Sequence, residues 1–311
     1  MAPAPTGHHR QAAVLVLLAS VLFGTAGTAV ALLAPDASNV SVGAMRAIVG
    51  GVSLLVAMPW IGGSRRRTLS LWRRRPILLM GCTTALYQAS FFGAVATAGV
   101  ALGTLVTVGS VPIIAGALGW IVLGHRPSRT WIVATAVALV GLVLLSADAL
   151  SGAGGGIGVL LALVAGTCNA TYNVASRPLL DDGVQPTEMV SSSFMAAGIL
   201  LLPGLLLQPL GWLGTANGIV LALYLGAATA GLANTWLAHG VRGLGPGPAA
   251  TLMLLDPVTA TVLGVVVLGE SIVPLAALGI VMVLMGLAMQ TVRPAGRAAT
   301  RSTPADAGVG S

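Results

Sequence analysis

The sequence predicts an all-α membrane protein in which ten transmembrane helices form two inverted five-helix repeats. Of the 311 residues, 56% are hydrophobic and 7% are charged, and the mean hydropathy is +0.95. This composition has too few polar groups to cover a soluble globule. The second observation is a repeat at a spacing of 145 residues: Pro112 recurs as Pro257, and the triplet Val-Leu-Gly at 122–124 recurs at 267–269. The chain therefore contains two copies of one unit.

Ten apolar segments have the length that a bilayer core requires. Residues 1–10 are interpreted as a short cytoplasmic leader and 11–33 as a retained first helix. A signal peptide is disfavoured because the apolar run is too long and Pro35 follows it directly. The other nine segments lie at 41–60, 76–96, 102–123, 130–147, 156–177, 187–207, 217–240, 248–268 and 273–292.

The repeat register divides the chain into two units, 11–147 and 156–292, joined by a glycine-rich linker at 148–155. Residues 293–311 lack apolar periodicity and are interpreted as a disordered cytoplasmic tail. Because each unit holds five helices, the second unit must enter the membrane from the side opposite to the first. Such an inverted repeat places a binding site at the repeat interface, near the middle of the membrane.

The arginines predict the orientation. All fifteen basic residues are arginine, and six of them lie between Arg65 and Arg75. If the N-terminus is cytoplasmic, fourteen arginines lie on the cytoplasmic side, none lies outside, and Arg46 lies within a helix. We therefore expect a multi-pass protein of the cytoplasmic (cell) membrane with both termini inside. The loop cluster is typical of a membrane anchor, so nucleic acid is not an expected partner.

Two charged residues, Arg46 and Asp256, lie away from the ends of the predicted helices. Arg46 is about five residues from the outer end of helix 2, so it either faces a cavity or extends along the helix to the membrane surface. Asp256 precedes Pro257 about 12 Å along helix 9, too deep for a short side chain to reach water through lipid. It either accepts hydrogen bonds near the proline break or carries a proton. Burial disfavours its ionised form and a nearby Arg46 would favour it, and the sequence leaves the balance open.

Polar and aromatic residues recur at spacings of three and four in three other helices, so that each set shares one helix face. Each set either lines a cavity or links neighbouring helices by hydrogen bonds. Together with Arg46 and Asp256, the candidate solute-binding residues are Tyr87, Gln88 and Phe91 in helix 3, Asn169, Tyr172 and Asn173 in helix 6, and Asn234 and Trp236 in helix 8.

The sequence contains no motif of an enzyme. A Walker-type phosphate loop, His-Glu-x-x-His and Gly-x-Ser-x-Gly are all missing. The two cysteines, Cys82 and Cys168, lie in apolar segments and predict neither a disulfide nor a metal site. We therefore expect no catalysis, no cofactor and no bound metal.

The chain resembles the drug/metabolite transporter superfamily, specifically its EamA-type ten-helix exporters, over about residues 12–292. The resemblance is carried by Val-Gly-Ala-Met-Arg at 42–46 and by the repeated proline and Leu-Gly pattern of helices 4 and 9. Asp256-Pro257 stands where the family usually has Glu-Pro, and Gly269-Glu270 is kept, whereas the first copy ends in Gly124-His125. The resemblance implies a central cavity lined by helices 1–4 and 6–9, with helices 5 and 10 at the periphery.

The expected function is that of a secondary transporter exporting a small metabolite or amino-acid-like solute by alternating access, with Asp256 as the candidate for proton coupling. An uncoupled facilitator and a non-transporting scaffold or sensor subunit are the alternatives. The inverted repeat favours a transporter, since a scaffold has no need of two oppositely oriented halves. The expected partners are a small-molecule solute and membrane lipid, and the sequence leaves a homodimer open.

Overall fold

The computed structural model describes residues 6–124, 126–147, 156–269 and 273–292, and all regular structure in these residues is helical. Nine of the described helices are long and apolar enough to span a membrane, and the tenth, α5, is an apolar helix of 17 residues. The predicted fold class is confirmed. The ten helices are α1 (Thr6–Leu33), α2 (Asn39–Ala57), α3 (Arg75–Ala98), α4 (Val100–Leu123), α5 (Arg129–Leu145), α6 (Gly156–Asp181), α7 (Pro186–Leu205), α8 (Ala216–Leu244), α9 (Pro246–Leu268) and α10 (Pro274–Val292).

The first helix extends beyond its predicted start. Helix α1 begins at Thr6, so residues 6–10 of the predicted leader continue the first helix, since polar residues at the membrane surface do not have to end a helix. The predicted linker at 148–155 and the predicted tail at 293–311 lie outside the described residues. A short helix, Arg65–Ser70, carries three of the clustered arginines between α2 and α3.

The C-terminal ends of α4 and α9, which are equivalent in the two repeats, have the same conformation. Gly124 ends α4 and Gly269 ends α9, both in the left-handed conformation that favours glycine, with φ of 70° and 73°. At their starts, α2 and α5 are capped by Ser38 and Ser128, whose hydroxyls accept backbone N–H bonds of 3.1 Å.

The helices of one repeat pack mainly against helices of the other. Helix α1 packs on α8 and α9, and its repeat equivalent α6 packs on α3 and α4. Helix α2 packs on α7 and α8, just as α7 packs on α2 and α3, and α5 pairs with α10. Each contact therefore has an equivalent contact in the other repeat, except α2–α7 and α5–α10, which join two equivalent helices directly. This pseudo-twofold arrangement encloses the interior between α1–α4 and α6–α9.

Helices α5 and α10 are held together by glycines. A Cβ on Gly141 of α5 would lie 2.6 Å from the Val283 nitrogen, and one on the repeat-equivalent Gly286 would lie 2.6 Å from the Ala134 carbonyl oxygen. The two backbones are therefore in contact, which is the close packing that small residues allow in membranes. This pair lies at the side of the bundle, outside the interior.

Equivalent residues of the two repeats are 145 positions apart in the sequence. This spacing increases by one residue within α8 and returns to 145 in α9. Single glycines in unusual conformations, Gly99 (φ 83°) and Gly245 (φ 91°), connect α3 to α4 and α8 to α9. Gly99 lies 18 residues after Gly81, whereas Gly245 lies 19 residues after the matching Gly226. The extra residue is taken up by a π-helical stretch, Tyr224–Ala233. The turn at Met253–Leu254 then removes one residue, which explains why the sequences align without a net insertion.

Candidate functional site

Helix α9 is interrupted in the middle of its length, just before Asp256. Pro257 has no N–H, and the Asp256 N–H donates instead to the Met253 carbonyl at 3.0 Å. The Leu252 carbonyl is thereby freed, and it accepts a 3.2 Å bond from the buried Ser20 hydroxyl of α1. The helix consequently has two segments, Pro246–Leu252 and Leu255–Leu268, and Asp256 lies in the first turn of the second.

A glycine lets α1 approach this break. A Cβ on Gly24 would lie 2.7 Å from the Asp256 carbonyl oxygen and 2.6 Å from Cβ of Thr259, so a larger residue would push the helices apart. The neighbouring Phe23 extends from α1 towards α2. Its ring centroid lies 5.3 Å from Cζ of Arg46, within the range of a cation–π contact.

Arg46 and Asp256 face the same interior without forming an ion pair. The ion pairs within 4 Å among the described residues are Arg67–Glu188, Arg74–Asp182 and Arg177–Asp181. Nε of Arg46 has no hydrogen-bond partner in this part of the chain.

Their surroundings indicate an internal cavity. Phe23 and Gly24 are adjacent on α1; Phe23 contacts Arg46, and Gly24 lies against the Asp256 carbonyl, so α1 brings the two charged residues to the same part of the interior. Arg46, Asp256 and Tyr87 all keep some accessible surface. Side chains that are enclosed by protein and still partly accessible line a cavity rather than a packed core.

The wall formed by α3 is aromatic. Tyr87 and Phe91 are half-buried and their rings stack, with centroids 5.7 Å apart. Gln88 is buried, and its amide donates to the Gly43 carbonyl of α2 at 2.8 Å. Of the three candidates in α3, Gln88 thus links two helices, while Tyr87 and Phe91 keep accessible surface.

The candidates in α6 divide in the same way. Asn169 and Tyr172 are half-buried, whereas Asn173 is buried and donates to Oδ1 of Asn169 at 2.9 Å. The Tyr172 hydroxyl lies 3.2 Å from the Ser193 hydroxyl of α7. Asn173 therefore orients Asn169 rather than presenting its own amide to the interior.

The two candidates in α8 are both half-buried. Asn234 donates to the Thr229 and Ala230 carbonyls at 3.2 and 3.1 Å, and these carbonyls belong to the π-helical stretch. Its own Oδ1 has no partner in the described part of the chain, so the amide supports the irregular helix while leaving an acceptor free. Trp236 packs against the main hydrophobic core.

Helix α1 contributes residues that the polar stripes did not predict. At the repeat spacing, Asn169 and Tyr172 of α6 correspond to Gly24 and Gly27 of α1, so the repeat itself carried the signal. A Cβ on Gly27 would meet no atom within 4 Å. The helix periodicity puts Gly27 opposite the exposed, lipid-facing residues Val14, Leu18 and Val21. Gly27 therefore faces the interior and leaves it open.

The interior is closed at only one end of the bundle. At the arginine-rich end α8 packs on α6, where the Arg177 guanidinium bonds Asp181 and donates to the Val241 carbonyl at 3.0 Å. The equivalent helices at the other end, α3 and α1, have no comparable contact in the described chain. Leu32 stands at the position equivalent to Arg177, so the polar contact is not repeated there. The missing contact between α1 and α3 in the described residues indicates that the cavity opens away from the arginines.

The chain is similar to known membrane transporters in sequence and to a solved structure in fold. The EamA-like transporter family matches residues 10–147 and again residues 156–292. The chain is 38% identical over 280 residues to the uncharacterized transporter YwfM of Bacillus subtilis (strain 168), covering 90% of this chain and 93% of that protein. It is 28% identical over 173 residues to an uncharacterized transporter of Clostridium kluyveri, covering 54% of this chain and 56% of that protein. A crystal structure of a protein 21% identical to it shares the fold, with a TM-score of 0.77 over 90% of this chain and 96% of the other.

Proposed function

This chain belongs to the EamA-like transporter family and is a multi-pass membrane transporter, and we propose that it exports a small amino-acid-like solute by alternating access. The observation that carries the proposal is the pair of opposite charges, Arg46 and Asp256, which face one cavity without pairing. An unpaired charge inside a membrane protein is unfavourable unless a ligand or water meets it. A zwitterion supplies both missing partners.

The chemistry of the wall suits such a solute. The planar guanidinium of Arg46 binds a carboxylate through two parallel N–H bonds, and its contact with Phe23 restricts its orientation. The carboxylate of Asp256 accepts hydrogen bonds from an ammonium group. The stacked rings of Tyr87 and Phe91 give an apolar surface for the rest of the solute, with Asn169, Tyr172, Asn234 and Trp236 on the other walls.

Alternating access is supported by the unequal ends of the bundle. Because the two repeats, 11–147 and 156–292, are equivalent, exchanging their conformations would bring α1 and α3 together and separate α6 from α8. The Arg177 bond to Val241 would break, and the cavity would open at the arginine-rich end. No equivalent polar bond exists at the open end, because the residue of α1 that corresponds to Arg177 is Leu32.

We expect the arginine-rich end to face the cytoplasm, with both termini inside the cell membrane. Single cysteines at the exposed positions Ser70 and Asp36, in a background without Cys82 and Cys168, test this. In intact cells a membrane-impermeant maleimide should label the cysteine at 36 and not the one at 70, and permeabilisation should reveal the latter. Labelling at 70 alone would reverse the orientation.

Replacing Arg46 by lysine tests the solute-binding role. Lysine keeps the charge but loses the two parallel donors, so we expect transport of amino acids into proteoliposomes to weaken about tenfold or more. The loss should be largest for solutes with a free carboxylate and small for their amides. Arg66→Lys is the control, because Arg66 is exposed outside the cavity. If the Arg46→Lys variant matched the parent for every solute, this role of Arg46 would be wrong.

A further inference from the structure

A second concave feature lies on the lipid-facing side of the bundle, away from the central cavity. It is a groove of about 380 Å³ between the start of α3 and the ends of α4 and α6. Its lining is apolar except for Arg75 and Thr171, and it includes Leu79, Leu118, Val122 and Val174. A methylene group occupies about as much space as a water molecule, ~30 Å³, so the groove has room for roughly a dozen of them.

The fold itself does not require this groove, because the equivalent place in the other repeat is filled. Leu79 corresponds to Tyr224 at the repeat spacing. Tyr224 packs with Ala29, Val30 and Leu221 in one hydrophobic cluster. Its hydroxyl is 2.6 Å from that of Thr25. A leucine at 79 in place of tyrosine is therefore one reason that the space between α3, α4 and α6 stays open.

The mouth of the groove is positively charged. Arg75 lines it, and Arg74, the adjacent residue, is engaged with Asp182. In contrast, Arg66, Arg73 and Arg75 have no acidic partner within 4 Å in the described part of the chain. An apolar groove that ends at a free guanidinium is complementary to a lipid, with the acyl chain in the groove and the phosphate at the arginine.

We propose that this groove is a binding site for one anionic phospholipid of the surrounding bilayer, with an acyl chain against Leu79 and Val122 and the phosphate on Arg75. The lipid site is separate from Arg46 and Asp256. The proposal therefore does not depend on which solute the protein carries. The lipid fills the space that Tyr224 fills in the other repeat.

Native mass spectrometry of the purified, delipidated protein tests the site, with phosphatidylglycerol and phosphatidylcholine as the probes. Leu79→Tyr introduces the side chain found at 224 and should lower the affinity for phosphatidylglycerol about tenfold or more, because it occupies the groove. Leu78→Tyr is the matched control, since Leu78 is an equally exposed leucine on the same helix that does not line the groove. If Leu79→Tyr does not fold, Val122→Phe replaces it as the groove-filling variant. Val122 lies on α4 and is 64% exposed, and its replacement by phenylalanine should lower the affinity in the same way.

The charge is tested separately. Arg75→Gln should remove most of the preference for phosphatidylglycerol over phosphatidylcholine, whereas Arg66→Gln should leave it unchanged. Equal loss in both arginine variants would indicate diffuse attraction to the arginine cluster and overturn a headgroup site at Arg75. Unchanged phosphatidylglycerol binding in both groove variants would overturn the acyl-chain site.

Discussion

In proteoliposomes with an acidic lumen, the Asp256→Asn variant is expected to lose gradient-driven accumulation of solute while still exchanging solute across the membrane, with a raised KM because an amide oxygen binds an ammonium group more weakly than a carboxylate does. Asparagine keeps the size of aspartate but does not titrate. If Asp256 binds a proton in one access state and releases it in the other, this change uncouples solute movement from the proton gradient. The parent should accumulate solute in the lumen as protons leave.

The structure favours a role for the Asp256 side chain beyond supporting the break in α9. The freed Leu252 carbonyl is already bonded by Ser20, and the Asp256 backbone N–H bonds Met253. No described residue donates a hydrogen bond to the Asp256 carboxylate, which stays accessible to the cavity.

The control is Asp36→Asn, which removes an exposed acid between α1 and α2 and should leave accumulation unchanged. Accumulation by Asp256→Asn at the parent level would exclude Asp256 as the proton carrier and favour an uncoupled facilitator. Loss of exchange together with accumulation would indicate that the amide oxygen does not replace the carboxylate in binding the ammonium group of the solute.

Replacing Gly27 by tryptophan is expected to reduce transport to the level of empty liposomes. A side chain at Gly27 enters open space on the inner face of α1, opposite the lipid-facing residues, and an indole ring there fills the opening between α1 and α3. Because a Cβ at this position meets no atom, folding should be preserved, which size-exclusion chromatography of the purified variant checks.

Two controls isolate the effect of filling the cavity. Gly27→Ala should transport like the parent, since a methyl group leaves the opening clear. Val21→Trp introduces the same ring on the lipid-facing side of α1 and should also be tolerated. Transport by Gly27→Trp at the parent rate would mean that Gly27 does not line the path of the solute.

The sequence by itself determined the helices, the repeat and the location of the two internal charges. Apolar length specifies a membrane helix without reference to its neighbours, because every backbone group in lipid must be bonded within its own segment. The missing donor of Pro257 was equally local, but it did not by itself determine the break at Asp256, because the equivalent Pro112 lies inside the continuous helix α4. The odd number of helices in each repeat then implied the inversion.

Only the tertiary structure decided which face of each helix meets the cavity. Tyr87 and Gln88 are adjacent in sequence, yet one keeps accessible surface while the other bonds Gly43 of α2. Polar residues of a membrane helix face away from lipid, either towards a water-filled cavity or towards a neighbouring helix. The sequence pattern is the same in both cases and does not distinguish them. Gly27 shows the converse: it has no side chain and belongs to no polar stripe, and although the repeat relates it to Tyr172, the space left by other helices makes it part of the site.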